Sequence, residues 1–221
     1  MTEPIAKVLG RDIRIIVPGT WVNIPVDDPT KSVEFVKRLV RQRVGPADRL
    51  ARVRREAVQE LVDTAKEAAS AGVHTYLMSL ELAPNVPFPA AIMMYDTQWP
   101  EPARQLVVDG DIEGALRAAL PDGEVATQHY GPVARVTEMT QGSAGEGDDS
   151  VEMLSMRLAY HMPYPDERSK LLVIRVNVPN IPSAEPFAML FDEVIDSITF
   201  MDRSESGDQQ PVDVMTSSTE G

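Results

Sequence analysis

The chain has 221 residues, a formal charge of −13 and no cysteine. Without cysteine there is no disulfide, thiolate nucleophile or cysteine metal ligand, and so acidic a chain argues against general nucleic-acid binding. No apolar run approaches the roughly 18 residues of a membrane span, and residues 1–10 lack a basic stretch leading into an apolar one, so the expectation is a cytoplasmic protein without a signal peptide.

Residues 1–10 read as a loosely held lead-in. Ile13–Val17 and Trp21–Val26 flank Pro18-Gly19 and predict a hairpin, with Pro25 marking a sheet edge or a strand end. Asp28-Pro29 is a cap followed by a first-turn proline. It opens a helix to about Arg43 with a stripe of Val33, Val36, Leu39, Val40 and Val44, broken by Gly45-Pro46. A second helix is predicted from Asp48 to Ala71. Its seam is Leu50, Val53, Ala57, Leu61, Ala65 and Ala68, widened by Val58 and Val62, with Gly72 beyond its end.

Val73–Leu82 alternates as a strand, and Phe88–Tyr95 is apolar on both faces, as in a central strand. Residues 98–102 read as irregular and Leu106–Val108 as extended. Asp111 caps a short helix over 112–120, stopped by Pro121-Asp122-Gly123. Glu124–Tyr130 is a strand, Gly131-Pro132 a break or bulge, and Val133–Thr140 continues extended. The polar, glycine-rich run 141–149 is a mobile hairpin tip.

Residues 151–200 organise the chain. Strands over 151–162 and 171–178 flank a turn at 164–169. A closing helix from Ser183 to Phe200 carries Phe187, Leu190, Phe191, Val194, Ile195 and Ile198 at helical spacing, opposite Asp192, Glu193 and Asp196. Residues 201–221 are polar and aperiodic and read as a disordered acidic tail after one domain over 1–200. Consecutive strands and blocked helices give an α+β class: an antiparallel sheet of about six to eight strands with helices packed against it.

Catalytic signatures are missing. The histidines, His74, His129 and His161, all fall in predicted strands and show no HxH, HExxH or HxxxH spacing. No G-x-S-x-G, GxxxxGK[ST] or GxGxxG occurs, and Asp109-Gly110-Asp111 lacks the later ligands of a calcium loop. No catalytic residue, cofactor or metal ligand is assigned. Charge, however, is segregated. Between Lys31 and Arg55 nine basic residues stand against Glu34 and Asp48, a local +7 that leaves −20 on the rest. Arg49, Arg52 and Arg55 recur at i, i+3, i+6, and with Arg38 and Arg41 they form the candidate partner-binding surface.

The carboxy-terminal half carries GPVARV at 131–136 and VNVPNIPSAEPFAMLFDEVIDSITF ending at Phe200, with an FDxIxxSxxF-like close from Phe191. In these residues it resembles a broad set of uncharacterised actinobacterial proteins with a PsbP-like α/β sandwich, including the LpqN-type lipoproteins. The resemblance implies a sandwich fold and a non-enzymatic binding or assembly role linked to specialised secretion. The leading expectation is a non-catalytic protein-binding domain. The alternative is a small-molecule binder or hydrolase-type enzyme with a sheet-lined pocket near His129 or His161, which a cavity with converging polar groups would favour. A homodimer through an exposed sheet edge is the third reading.

Overall fold

A computed structural model describes residues 5–10, 13–144, 151–165 and 167–200, and the side chains of 13–142, 153–165 and 167–200. The expected acidic tail and most of the glycine-rich tip lie outside these residues.

The strands are β1 (Ile5–Gly10), β2 (Ile13–Pro18), β3 (Thr20–Asn23), β4 (Val73–Ala83), β5 (Val86–Pro87), β6 (Ala91–Gln98), β7 (Glu124–Gln128), β8 (Gly131–Ala144), β9 (Val151–Pro163), β10 (Lys170–Ile181) and β11 (Thr199–Phe200). The helices are α1 (Pro29–Val44), α2 (Ala51–Ser70), α3 (Glu101–Asp109), α4 (Ile112–Ala119) and α5 (Glu185–Asp196), with a 3-10 turn at Asp48–Leu50 before α2. An eight-stranded sheet runs in the order β3-β4-β6-β10-β9-β8-β7, with β5 beside β4, and β1-β2-β11 form a small second sheet. The pairings are antiparallel throughout. The molecule is thus the α+β fold, an antiparallel sheet with helices packed against it, that the strand and helix order predicts.

The register defines the two faces of the large sheet, because side chains alternate along each strand. Leu77, Ile92, Val176 and Leu158 stand side by side across β4, β6, β10 and β9. They belong to one apolar cluster with Ile13, Ile15 and Val17 of β2 and Phe191, Val194 and Ile195 of α5. This face is therefore covered by the small sheet and α5. Phe88 stacks against Phe187 and Phe191 of α5, with ring centroids 5.5 and 6.2 Å apart. On the opposite face α1 and α2 cover the β4 side through Val36, Val40, Val62, Ala65, Ala68 and Tyr76. Trp99, Ala103, Ala115 and Leu116 of the α3–α4 region pack on Ala134 and Leu171.

Local chemistry accounts for the element ends. The Asp28 carboxylate accepts from the N–H groups of Thr30 (2.9 Å) and Lys31 (3.2 Å), and those bonds lower its pKa. Asp111 accepts from the Gly114 N–H at 2.9 Å.

Several expectations are corrected. Residues 5–10 are a strand, not a lead-in, paired with β2. The hairpin predicted across Pro18-Gly19 does not form: β2 joins the small sheet and β3 pairs with β4 at the edge of the large one. Gly19, at φ 80, makes this switch of sheets. A Cβ there would sit 2.0 Å from the Glu81 carbonyl oxygen, so only glycine permits the approach. Residues 101–109 are helical, not irregular then extended, because Pro102 suits a first turn and Ala103 is buried against the sheet. Gly131-Pro132 is not a break in a continuing strand. It starts β8, and β7 and β8 form a tight hairpin across His129 and Tyr130. The closing helix ends at Asp196, and Thr199–Phe200 leave it to pair with β2. Its N-cap is Ala184, without a side-chain bond. In α2 burial is confined to Val62, Ala65 and Ala68, while Val53 is exposed, because α1 and the sheet cover only the later turns.

Candidate functional site: a cleft on the open face of the sheet

The face covered by two separate helical layers has an uncovered stretch between them. Two cross-strand rows make its floor. The first runs Glu138, Arg157, Asn177, Ala91, Met78 across β8, β9, β10, β6 and β4; the second runs Val136, Ala159, Arg175, Met93, Tyr76. All ten line a cavity of about 710 Å³, walled on one side by Glu60, Leu61 and Thr64 of α2. Ala91 and Ala159 keep the floor low where larger side chains would fill it. Its volume falls within the usual range of small-molecule sites, roughly 300–1,000 Å³.

The electrostatics of the floor are uneven. Arg175 has Ala159 and Met93 as its cross-strand neighbours, and its guanidinium carbon lies 5.7 Å from the centroid of the Tyr95 ring. Arg157 is flanked by Glu138 and Asn177. Neither arginine makes an ion pair among the described residues, in contrast to Arg135 on the other face, which is held by both Glu124 and Asp192. Burial pushes the Tyr76 phenol up, and the charge of Glu60 adds to it, so Tyr76 stays a neutral hydroxyl in the cleft. In the next row, His161 stands between Ala134 and Val173. Burial, assisted by the positive charge of Arg175, lowers His161 to about 4, so it is neutral at physiological pH.

The predicted site residues divide. Arg41 and Arg55 come together, with Lys37 and Arg54, in a groove of about 720 Å³ between α1 and α2. Arg38 instead lies over the Phe35 ring at 5.6 Å. Arg52 is exposed and paired with Glu56 at 2.7 Å. Arg49 sits in the 3-10 turn and not on α2. Arg54 donates to the carbonyls of Gly45 (2.7 Å) and Ala47 (2.8 Å) and so holds the α1–α2 connection. Of the histidines, His129 lies in the β7–β8 turn, with its backbone N–H on Asp196 and its ring edge-on to Tyr130. His74 is beside Asp96 at 3.3 Å. Among the described residues no three His, Asp or Glu side chains gather as a metal set, and no helix is long and apolar enough to cross a membrane.

Sequence reasoning missed Arg157 and Arg175. The signal was present in the alternation. On β10 the cleft-side positions run Leu171, Val173, then Arg175, Asn177, while the opposite positions stay apolar from Leu172 to Val178. A change from apolar to polar halfway along one face marks where cover ends.

Fold and site together describe an α+β sandwich with a ligand-sized cleft on its partly covered sheet face. No family model matches the chain, and no curated protein does. Among solved structures it is similar to LpqN of Mycobacterium tuberculosis, described as involved in cell envelope biogenesis. That similarity covers 91% of this chain and 87% of the other, at 14% identity and a TM-score of 0.34.

Proposed function

We propose that the protein is a small-molecule-binding protein whose ligand occupies the cleft between α2 and the β9–β10 floor. The observation that carries this is an uncovered cavity of about 710 Å³ lined by two arginines that make no ion pair among the described residues, alongside Tyr76, Asn177 and an apolar floor. Such a mixture of apolar surface and few polar groups is what recognition of a small ligand requires. Ala159→Trp fills the floor and tests it. In a thermal-shift screen against a metabolite library, compounds that raise the melting temperature of the wild type are expected to leave the variant unmoved. Hits that stabilise both equally would place binding elsewhere.

A second reading, the protein-binding role, is supported by the α1–α2 groove, where Lys37, Arg41 and Arg55 make no ion pair among the described residues. It suits an acidic partner segment, held by exposed and therefore salt-sensitive contacts. Wild type is expected to be retained on immobilised polyglutamate at low salt, and Arg41→Glu/Arg55→Glu to flow through. Equal retention of the two would remove this groove from consideration.

A further inference from the structure

We infer that the cleft is selective for organic oxyanions: ligands that carry a carboxylate, phosphate or sulfonate on an apolar body, with Arg175 as the main anchor and Arg157 as the second. This rests on the cleft being the ligand site and adds the chemistry of the ligand.

Arg175 is the reason. A carboxylate directly across the strand would stabilise a cation on a sheet face. Here the positions across from Arg175 are Ala159 and Met93, and its guanidinium rests by the Tyr95 ring. The residue therefore presents a planar fork of donors whose natural complement is an oxyanion, and arginine suits planar, two-pronged recognition of that group. His161, in the adjoining row, is neutral at physiological pH, so the positive charge here is that of the arginines. Arg157 lies diagonally from Arg175 on the neighbouring strand, since its direct partner is Asn177, two residues along β10. Diagonal neighbours are about 7–8 Å apart at the backbone, within reach of two long side chains converging on one group. Arg157 also faces Glu138 across β8, so part of its charge is answered from within the protein. This ranks the two arginines. The body of the ligand meets Met78, Ala91 and Met93 on the floor and Leu61 on the wall. The unbranched methionines adapt to more than one shape.

A matched pair of fluorescent probes separates head from body. 8-Anilinonaphthalene-1-sulfonate and N-phenyl-1-naphthylamine share the same aromatic body, and only the first carries an oxyanion. The wild type is expected to bind the sulfonate at least about tenfold more tightly than the neutral amine, the effect of one or two charge-assisted hydrogen bonds. Arg175→Gln is expected to bring the sulfonate down to the level of the amine. Arg157→Gln should produce a smaller loss, and both variants should keep the amine affinity of the wild type. Ala159→Trp, checked for an unchanged circular dichroism spectrum, should lose both probes. Equal affinity for the two probes in the wild type, an Arg175→Gln variant that still prefers the sulfonate, or no sulfonate binding at all would overturn the oxyanion assignment. If Ala159→Trp leaves both probes bound, the cleft itself is not the site. The two failures are therefore distinguishable.

Discussion

Replacing Phe191 with alanine is expected to destabilise the protein by about 3–5 kcal/mol, the usual cost of emptying a buried phenylalanine position. Phe191 is fully buried and stacks on Phe88, so its removal leaves a void between α5 and the sheet and strips Phe88 of one of its two ring partners. In a chain of this length that corresponds to a fall in melting temperature of roughly 6–20 °C. Denaturant titration of both proteins gives the number, and a loss below about 1 kcal/mol would mean that α5 does not hold the covered face. The effect belongs to the fold. Phe191 lies on the face opposite the cleft, so what remains folded below the transition should still bind whatever the wild type binds there.

Acidification is expected to remove roughly 2–3 kcal/mol of stability through His161 alone. Its ordinary value is 6.5 and its folded value about 4, lowered by burial and then by Arg175. Between those two values the unfolded chain takes up a proton that the folded chain refuses, so stability falls as pH drops. The contribution is fully present above about pH 6.5, and most of the loss has occurred by about pH 4.5. His161→Gln, which cannot titrate, should therefore lose less stability between pH 7 and pH 4.5 than the wild type, by that same amount. Parallel denaturation curves at the two pH values measure it. Equal losses in the two proteins would show that His161 charges freely in the folded state.

Much of the architecture was legible along the chain because it is written in local periodicities. The stripe from Phe187 to Ile195, the Asp28-Pro29 start of α1, the central strand near Tyr95 and the antiparallel pair β9–β10 all follow from spacings within one or two elements. The misreadings share a cause. Whether Pro18-Gly19 closes a hairpin or carries the chain from one sheet to another depends on the Glu81 backbone, some sixty residues away in sequence. Residues 101–109 are helical because the sheet offers Ala103 a place to bury, which a nine-residue window does not contain. Thr199 and Phe200 leave the helical pattern because β2 has an open edge beside them.

The candidate site divides along the same line. The basic segment from Lys31 to Arg55 was visible as composition, and helical spacing put its arginines on exposed surfaces. Spacing did not say that Arg41 and Arg55 share a groove while Arg52 is answered by Glu56 and Arg38 rests on Phe35. Arg157 and Arg175 were individually unremarkable as polar positions in alternating strands. They become a pair because β9 and β10 are neighbours in a register that sets them on one diagonal, and they line a cleft because two helical layers stop short of them. Which residues want burial, and at what period, follows from side-chain hydrophobicity and backbone geometry acting over a few residues. What those faces are buried against, and what they leave uncovered, depends on contacts between distant elements. A cleft is defined by missing cover, a property of non-local packing that no segment of the chain carries alone.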